Sequence, residues 1–583
     1  MFRLICIFFC VTTVLPAFAQ QAADALSPES STDTLNTSET RPVAAKDWMI
    51  SAANPLAARA GAQVLRAGGT AADAMIATQA VLGLVEPQSS GLGGGAFLVW
   101  YDGRDGTLTT LDGRETAPMA VTPRLFQDEN GAPLKFFDAV IGGLSVGTPG
   151  TPALMEAAHR RWGRANWGSL FDAAIALAED GFEVSPRLAG LVERDAERLS
   201  TFARTKAYFL PGGTAIRAGD TLKNPAYGAT LRRLAAEGRD AFYSGPIAED
   251  IVSTTRAART KPGKLSLRDL AAYAVKERAA VCAPYRLLEV CGMGPPSSGG
   301  LTVGQILGLL ERTELATLGP AEAQAWRLIG DASRLAFADR GRYMADSDFV
   351  PVPTEGLIDP AYLDARAKLL AGDDALPEVT PGAPPFDHAL LRADDASIEL
   401  PSTSHVSIVD RYGNALSMTT TIENAFGSRL MTAGGFLLNN ELTDFSFRTH
   451  RNGVPIANRV EPGKRPRSSM APTIVLKDGA PVLVVGSPGG SRIIGYVAKT
   501  IIAHVDWGLN IQEAIDLPHL VNRFGAYDVE AGAVADTLAR ALEDLGYEIR
   551  SRDLNSGLQA IAIGPDGLSG GADPRREGIA LGQ

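Results

Sequence analysis

Residues 399–422 read ELPSTSHVSIVDRYGNALSMTTTI, and two segments inside them, HVSIVD (405–410) and ALSMTTTI (415–422), have the composition and alternation of successive β-strands. Thr403 stands at the start of the first strand, and the approach to it, Glu399-Leu400-Pro401-Ser402, carries no signal for regular structure. The order matters because a hydroxyl is a weak nucleophile near neutral pH unless a base adjoins it. Cutting the peptide bond before Thr403 supplies one: it frees an α-amine, with an ordinary pKa of about 8, beside the hydroxyl of the same residue. An irregular, accessible approach followed by a rigid strand is what such a cut requires.

The rest of the chain sets the bounds. With 583 residues, 45% apolar and 21% charged, it can bury a large core, arranged as about two to four domains or one intertwined unit. A net charge of −11 argues against a nucleic-acid partner, which calls for a basic stripe. The N-terminus, MFRLICIFFCVTTVLPAFAQ, has one Arg, an apolar run from Leu4 to Leu15 and Ala17-Phe18-Ala19 as a small-x-small cleavage site. Residues 1–19 therefore read as a secretory signal peptide, too short in its apolar run for a membrane anchor, and imply a periplasmic or secreted protein. Residues 20–46, rich in Ser, Thr, Ala and Glu without periodicity, read as a disordered leader.

Signal removal takes Cys6 and Cys10 and leaves Cys282 and Cys291, in VCAPYRLLEVC. If Arg286 and Leu287 form a two-residue turn, Tyr285 faces Leu288 and Cys282 faces Cys291, which permits a cross-strand disulfide in an oxidising compartment. Two free thiols in a sheet are the alternative. The six His are scattered, so no metal site is expected.

From Asn54 to Leu84 an Ala-rich pattern broken at Gly68-Gly69 predicts two helices, and GLGGGAFLVWYDG (91–103) passes from a glycine loop into a strand that opens a hairpin. Helical patterns dominate 150–380, as in LFDAAIALAEDGF and AQAWRLIGDASRLAFADRGRYM, and 370–400 reads as a mobile surface segment. Beyond Thr403 come strands (TIVLK, PVLVVGS) and then helices (RIIGYVAKTIIAHVDWG, IQEAIDL, VADTLARALEDLG). An α-rich first part thus meets a sheet-centred second part just before Thr403. Two motifs are decoys. Gly143-Leu-Ser145-Val-Gly147 matches a nucleophile elbow, but the prolines of GTPGTPALM spoil the helix that must follow. Gly91-Leu-Gly93-Gly-Gly-Ala96 matches a dinucleotide fingerprint, but it follows a helix and enters a strand, the reverse of the required order. With no Walker-type loop either, nothing supports a nucleotide cofactor.

Several motifs occur in a telling order: LDGRETAP, PPSSGG, LAFADRGRYMADSDF, TSHVSIVDRYGNALSMTTTIENAFGS, FLLNNELTDFSF, KRPRSSMAPTIV and GSPGGSRI. Together, across 52–580, they resemble the γ-glutamyltranspeptidases (γ-glutamyltransferases, glutathione hydrolases) of the N-terminal-nucleophile hydrolase superfamily. The resemblance implies a mixed α/β (α+β) fold, a four-layer αββα sandwich. It also implies self-cleavage between Ser402 and Thr403 into a large subunit, 47–402, and a small one, 403–583, which stay associated. Thr403 takes the place of the nucleophile that attacks a γ-glutamyl amide such as glutathione. The resulting acyl-enzyme passes its acyl group to water or to an amino acid or peptide, and no cofactor is implied. Thr421 matches the family's second Thr, which orients the free amine, and Gly489 and Gly490 match its oxyanion pair, whose N–H groups approach the developing charge. Arg114, Ser468 and Ser469 match the positions that hold the glutamyl α-carboxylate, while Glu441 and Asp444 match those that accept from its ammonium. Where the family usually has Asn, this chain has Glu423, a third carboxylate that either binds the ammonium or takes up a proton among its like charges.

Each of these residues has a plainer reading in isolation. Thr403 would be a strand former, Arg114 beside Asp112 and Glu115 a surface ion pair, and Glu441 and Asp444 solvated charges. His405 is expected to be structural, because alternation points it away from Ser404 and need not aim it at Thr403. The segment 445–467, short and basic, suggests an open cleft rather than a lid. Two rival functions remain on this scaffold: a glutaryl-type (cephalosporin) acylase, which needs no ammonium acceptors, and a silent binding homologue that does not process itself.

Overall fold

Ser404–Val409 and Ala415–Thr421 pair antiparallel with Ser404 opposite Thr420, and they form the middle of a seven-stranded sheet. The computed structural model describes residues 41–583 except 260, 389, 390, 396, 398 and 401. The signal-peptide reading of 1–19 and the leader as far as residue 40 lie outside the described residues. In order across the first sheet the strands are Ile579–Gly582, Met49–Ala52, Ser404–Val409, Ala415–Thr421, Gly95–Tyr101, Leu108–Gly113 and Lys276–Arg278. The second sheet runs Val43–Ala45, Gly567–Ala572, Gln559–Gly564, Ala480–Gly486, Thr473–Lys477, Leu288–Gly292 and Val281–Tyr285. Every neighbouring pair in both sheets is antiparallel.

Side-chain alternation stacks these sheets into four layers. In the first sheet Val406, Ile408, Leu416 and Met418 point outward into a core shared with the helices Pro55–Arg66, Ala71–Val85 and Thr151–Trp162. In the second sheet Val290, Val475, Leu483 and Val485 point outward against Gly299–Leu310, Ala323–Tyr343 and Ile493–Val505. The inner faces meet through Met49, Val99, Val409, Ala415, Ile474, Val484 and Ile561. The order is therefore helices, sheet, sheet, helices. Local signals fix the first helical hairpin: Asn54 caps Pro55–Arg66, Gly68 turns the chain at φ 92°, and Thr70 with Asp73 forms a capping box on Ala71–Val85.

Two boundaries differ from the sequence reading. Val43–Ala45, assigned to the disordered leader, is an edge strand paired with Gly567–Ala572, because three backbone pairings are available to it there regardless of its composition. The split into a helical first part and a sheet-centred second part also fails: seven of the fourteen strands precede Thr403 and seven follow it. The hairpin 281–292 has Tyr285 opposite Leu288, Cys282 opposite Cys291 and Arg286 at φ 56° in the turn, and a disulfide joins the two cysteines.

Toward the Thr403 end the contact between the sheets becomes polar. His405 lies between them, fully buried, its ring packed against Gly486, where a Cβ would stand 2.2 Å from His405 Cε1. Ser407 Oγ donates to Gln559 O at 2.9 Å, so it can only accept from His405 Nε2 at 3.1 Å. Nδ1 then accepts from Thr419 Oγ1 at 2.8 Å, which leaves a neutral ring. Burial pushes this imidazole down to about 3. The unfolded chain takes up a proton here below about 6.5 and the folded chain does not, so stability is lost as pH falls from 6.5 toward 3. His405→Asn should therefore be less stable than the parent at pH 7 yet lose less of its stability between pH 6.5 and 4. Urea midpoints at both pH values measure this difference of differences.

Candidate active site

Thr403 is held by the strand it precedes, which is paired on both sides, so its side chain has little freedom to move. The chain is continuous through Ser402–Thr403, and the Thr403 nitrogen is an amide; its contacts are those of an uncut precursor. Thr403 Oγ1 donates to Thr421 Oγ1 at 3.2 Å. Thr421 Oγ1 in turn donates to the carbonyl oxygen of Ser402 at 3.3 Å and accepts from Glu423 N at 2.9 Å. The second hydroxyl thus polarises the carbonyl of the bond expected to break and touches the hydroxyl expected to attack it. Arg576 Nη1 donates to Thr403 O at 2.8 Å while its Nε donates to Asn555 Oδ1 at 3.0 Å, so the C-terminal region grips the carbonyl of Thr403 itself.

One pocket is lined by Thr403, Thr421, Ser402, Arg114, Glu423, Glu441, Asp444, Ser468, Ser469 and Gly490, together with Glu399, Leu400, Met470 and Ile493. Residues from five separated motifs converge there. Gly489 adjoins the pocket in the turn before Ile493–Val505, at φ 137°, and Gly490 follows at φ 58°. A Cβ on Gly490 would stand 2.7 Å from the carbonyl carbon of Leu400 and 2.8 Å from Glu399 O. The glycine is needed for close approach of the two backbones. No residue of 445–467 lines this pocket; in the uncut chain, Glu399, Leu400 and Ser402 form part of its wall.

Arg114 is not a surface residue: it is 1% exposed, donates to Glu441 Oε1 and, at 2.5 Å, to Asp444 Oδ2. It also donates to the backbone oxygens of Pro466 and Arg467. Asp112 pairs instead with Arg278 and Arg465. Four carboxylates, Glu115, Glu423, Glu441 and Asp444, thus act on one guanidinium. Burial first, then mutual repulsion, raises Glu441 and Asp444 well above the usual carboxylate range, and burial pushes Glu115 up to about 8. Glu423 is likewise raised by burial and by Asp444; it accepts from Asn440 Nδ2 and, at 3.4 Å, from Leu400 N. Its backbone sits at φ 75°, a conformation that Asn tolerates better than Glu.

Sequence reading missed a second charged group in the pocket wall. Glu399 is buried and bonded by Arg340 Nη2, by Arg467 Nε at 3.2 Å and by Ser469 Oγ. The expectation of a mobile surface segment at 370–400 fails at its end, where Asp395, Glu399 and Leu400 are buried. Arg340 and Arg467 lie in LAFADRGRYM and KRPRSSM, motifs that stood out without a role for either arginine. His405 has no contact with Thr403; its ring bonds go to Thr419 and Ser407.

A threonine opening a central strand of two stacked antiparallel sheets, with its hydroxyl engaged and a polar pocket at its side, defines an N-terminal-nucleophile hydrolase. Comparison with known proteins narrows the class. The chain belongs to the γ-glutamyltranspeptidase family, whose model matches residues 57–583. It is 37% identical over 549 residues to a glutathione hydrolase proenzyme of Bacillus subtilis, covering 92% of each chain. A glutathione hydrolase proenzyme of Escherichia coli is likewise 37% identical over 549 residues, covering 92% of this chain and 91% of that one. Among solved structures, a cephalosporin acylase from Bacillus halodurans superposes with a TM-score of 0.82 at 26% identity, covering 94% of this chain and 97% of that one.

Gly490→Ala should push the backbone of 399–400 off the pocket wall and slow cleavage at Ser402–Thr403. Misplacing the reacting groups by even part of an ångström costs on the order of tenfold or more in rate. A time course of denaturing gels should show uncut chain accumulating; cleavage at the parental rate would contradict this.

Proposed function

We propose that this chain is the precursor of a γ-glutamyl transferase and glutathione hydrolase that matures by cutting itself between Ser402 and Thr403. The observation that carries the reading is the hydroxyl relay from Thr403 to Thr421 to the Ser402 carbonyl, at the head of a strand that cannot yield. In the cut, Thr403 Oγ adds to the Ser402 carbonyl carbon, the C–N bond breaks as the hydroxyl proton passes to nitrogen, and water hydrolyses the ester. The products are a Ser402 carboxylate, ending the large subunit, and a free amine on Thr403, beginning the small one.

The same hydroxyl, now with its own amine as base, attacks the side-chain amide of a γ-glutamyl donor such as glutathione. The N–H groups of Gly489 and Gly490 face the developing oxyanion, and the leaving amine carries away the proton that the Thr403 amine took up. Water releases glutamate, while an amino acid or peptide accepts the acyl group instead. The donor's ammonium is drawn to the carboxylates Glu423, Glu441 and Asp444, which together outnumber the one guanidinium among them. Ser468 and Ser469 offer hydroxyls to the α-carboxylate. The signal-like N-terminus supports export to the periplasm or beyond, and among the described residues no helix is long and apolar enough to cross a membrane.

Sequencing the N-termini of purified protein should give one that begins Thr403-Ser404-His405, and Thr403→Ala should remain a single chain with no turnover. The processed enzyme should hydrolyse γ-glutamyl 4-nitroanilide faster than glutaryl 4-nitroanilide, since only the former meets the acid cluster. The reverse preference would make it an acylase of the cephalosporin type, and an uncut, inactive parent would make it a binding homologue.

A further inference from the structure

A loop outside the pocket touches two of the elements that set its chemistry. Residues Asn555-Ser556-Gly557 lie between the turn Pro488-Gly489-Gly490 and Arg576, whose Nη1 holds Thr403 O at 2.8 Å. We propose that His519, Ser556 and Asp573 are positioning residues for the acyl-transfer step, joined in one buried chain that fixes this loop as a spacer between the oxyanion N–H groups and the nucleophile. The proposal rests on the reading of Thr403 as nucleophile and of Gly489 and Gly490 as oxyanion pair, and it names what sets the distance between them.

The spacer is tight on both sides. A Cβ on Gly557 would stand 2.6 Å from Pro488 Cγ and 2.8 Å from Arg576 Cδ, so the backbone at 557 fills the gap between those two side chains. A Cβ on Gly489 would stand 2.7 Å from Tyr496 Cε2 and 3.7 Å from Asn555 O. Asn555 Oδ1 accepts from Arg576 Nε at 3.0 Å, and the Tyr496 ring packs on the His519 ring with centroids 4.2 Å apart. Displacing 555–557 therefore disturbs the oxyanion turn and Arg576 together.

His519, Ser556 and Asp573 are at most 1% exposed. They are the residue types of a hydrolytic triad in the wrong order, with serine between histidine and carboxylate. His519 Nε2 lies 2.6 Å from Ser556 Oγ, which is bonded in turn to Asp573 Oδ2. Although burial opposes it, Arg575, the Ser556 hydroxyl and backbone N–H groups hold Asp573 below the usual carboxylate range, so this group only accepts. The hydroxyl gives its one proton to Asp573, and His519 Nε2 must donate to the hydroxyl. Burial, then the charges of Arg575 and Lys499, keeps the ring neutral, and its Nδ1 is a buried acceptor without a partner. A serine whose proton is held by a buried carboxylate is a strut, not a nucleophile. Asp573 Oδ2 also accepts from Leu558 N at 3.0 Å, its Oδ1 from Arg575 N at 3.0 Å and its carbonyl from Arg576 N at 3.3 Å. One carboxylate thus fixes both the end of the spacer and the turn that delivers Arg576.

Oxyanion donors matter in the transition state, when charge develops on the carbonyl oxygen, and little in the binding of the donor. The side chains read as donor-binding, Arg114, Glu441, Asp444, Ser468 and Ser469, stand on other elements. A fault in the chain should therefore appear in kcat. The test uses the self-processed enzyme, with rates on γ-glutamyl 4-nitroanilide expressed per cut chain on a denaturing gel. Ser556→Ala, which breaks the chain at its middle, should lower kcat roughly tenfold or more and leave KM within about twofold of the parent. His519→Gln, which keeps an N–H near the place of Nε2, should retain a kcat at least about threefold above that of His519→Ala. A loss carried by KM, a parental kcat in Ser556→Ala, or equal kcat in the two 519 variants would overturn the proposal. A variant that stays uncut is scored by its rate of self-cleavage instead, with Gln again required to exceed Ala. A parent active only on glutaryl 4-nitroanilide would refute the γ-glutamyl reading, and the same pattern in kcat would be expected on that donor. A parent inactive on both would refute the reading of the site, and this proposal with it, before any variant is compared.

Discussion

Everything in this molecule is arranged around one peptide bond placed at the end of a strand that has neighbours on both sides. A strand in the interior of a sheet cannot shift register without moving every side chain to the opposite face. Ser404–Val409 alternates between the helical core and the inter-sheet layer, so its position is over-determined, and that rigidity extends to Thr403. Thr421 is fixed by the same ladder, since it ends the partner strand. The hydroxyl of one and the carbonyl before the other are thus held within hydrogen-bonding reach by sheet geometry, with no helix or loop needing to move.

Around that fixed point the protein separates charge. Arg114 is surrounded by four acidic side chains whose ionisation burial and crowding oppose, whereas Arg340 and Arg467 bond Glu399, and Arg467 also Asp395, in the segment just before Thr403. The inner layer of the sandwich follows a related logic: it is apolar where Met49, Val409 and Ile474 meet, and polar where His405, Thr419 and Ser407 approach the pocket. His405, fully satisfied and neutral, fills space between the sheets beside Gly486 and leaves the chemistry to hydroxyls.

Much of this was legible in the sequence. Two strand patterns behind Thr403 placed that residue at the head of a central strand, and the hairpin around Arg286-Leu287 gave the register that brings Cys282 to Cys291. Motif order singles out Arg114, Glu441, Asp444, Ser468 and Ser469, and the fold brings all five to one pocket. The role of Glu399 was not legible, because a carboxylate in an irregular stretch reads as solvated, and its burial depends on two arginines 59 and 68 residues away. Val43–Ala45 was hidden for a different reason: an edge strand contributes backbone rather than composition, and its partner is near the other end of the chain. The commitment of Arg114 to Glu441 and Asp444 was equally invisible, since sequence matching assigns a position without saying what already fills it.

The strands before and after Thr403 alternate through both sheets, so that Met49–Ala52 lies between Ser404–Val409 and Ile579–Gly582, and Thr473–Lys477 lies beside Leu288–Gly292. Assembly of such a fabric from one continuous chain is a unimolecular event. With the link at Ser402 cut as proposed, the reverse path would end in two separate molecules, and re-forming the fabric would depend on dilution as well as on sequence. The proposed cut would thus give the protein a memory: it would reach its folded form once, as a single thread, and keep it afterwards by the slowness of coming apart.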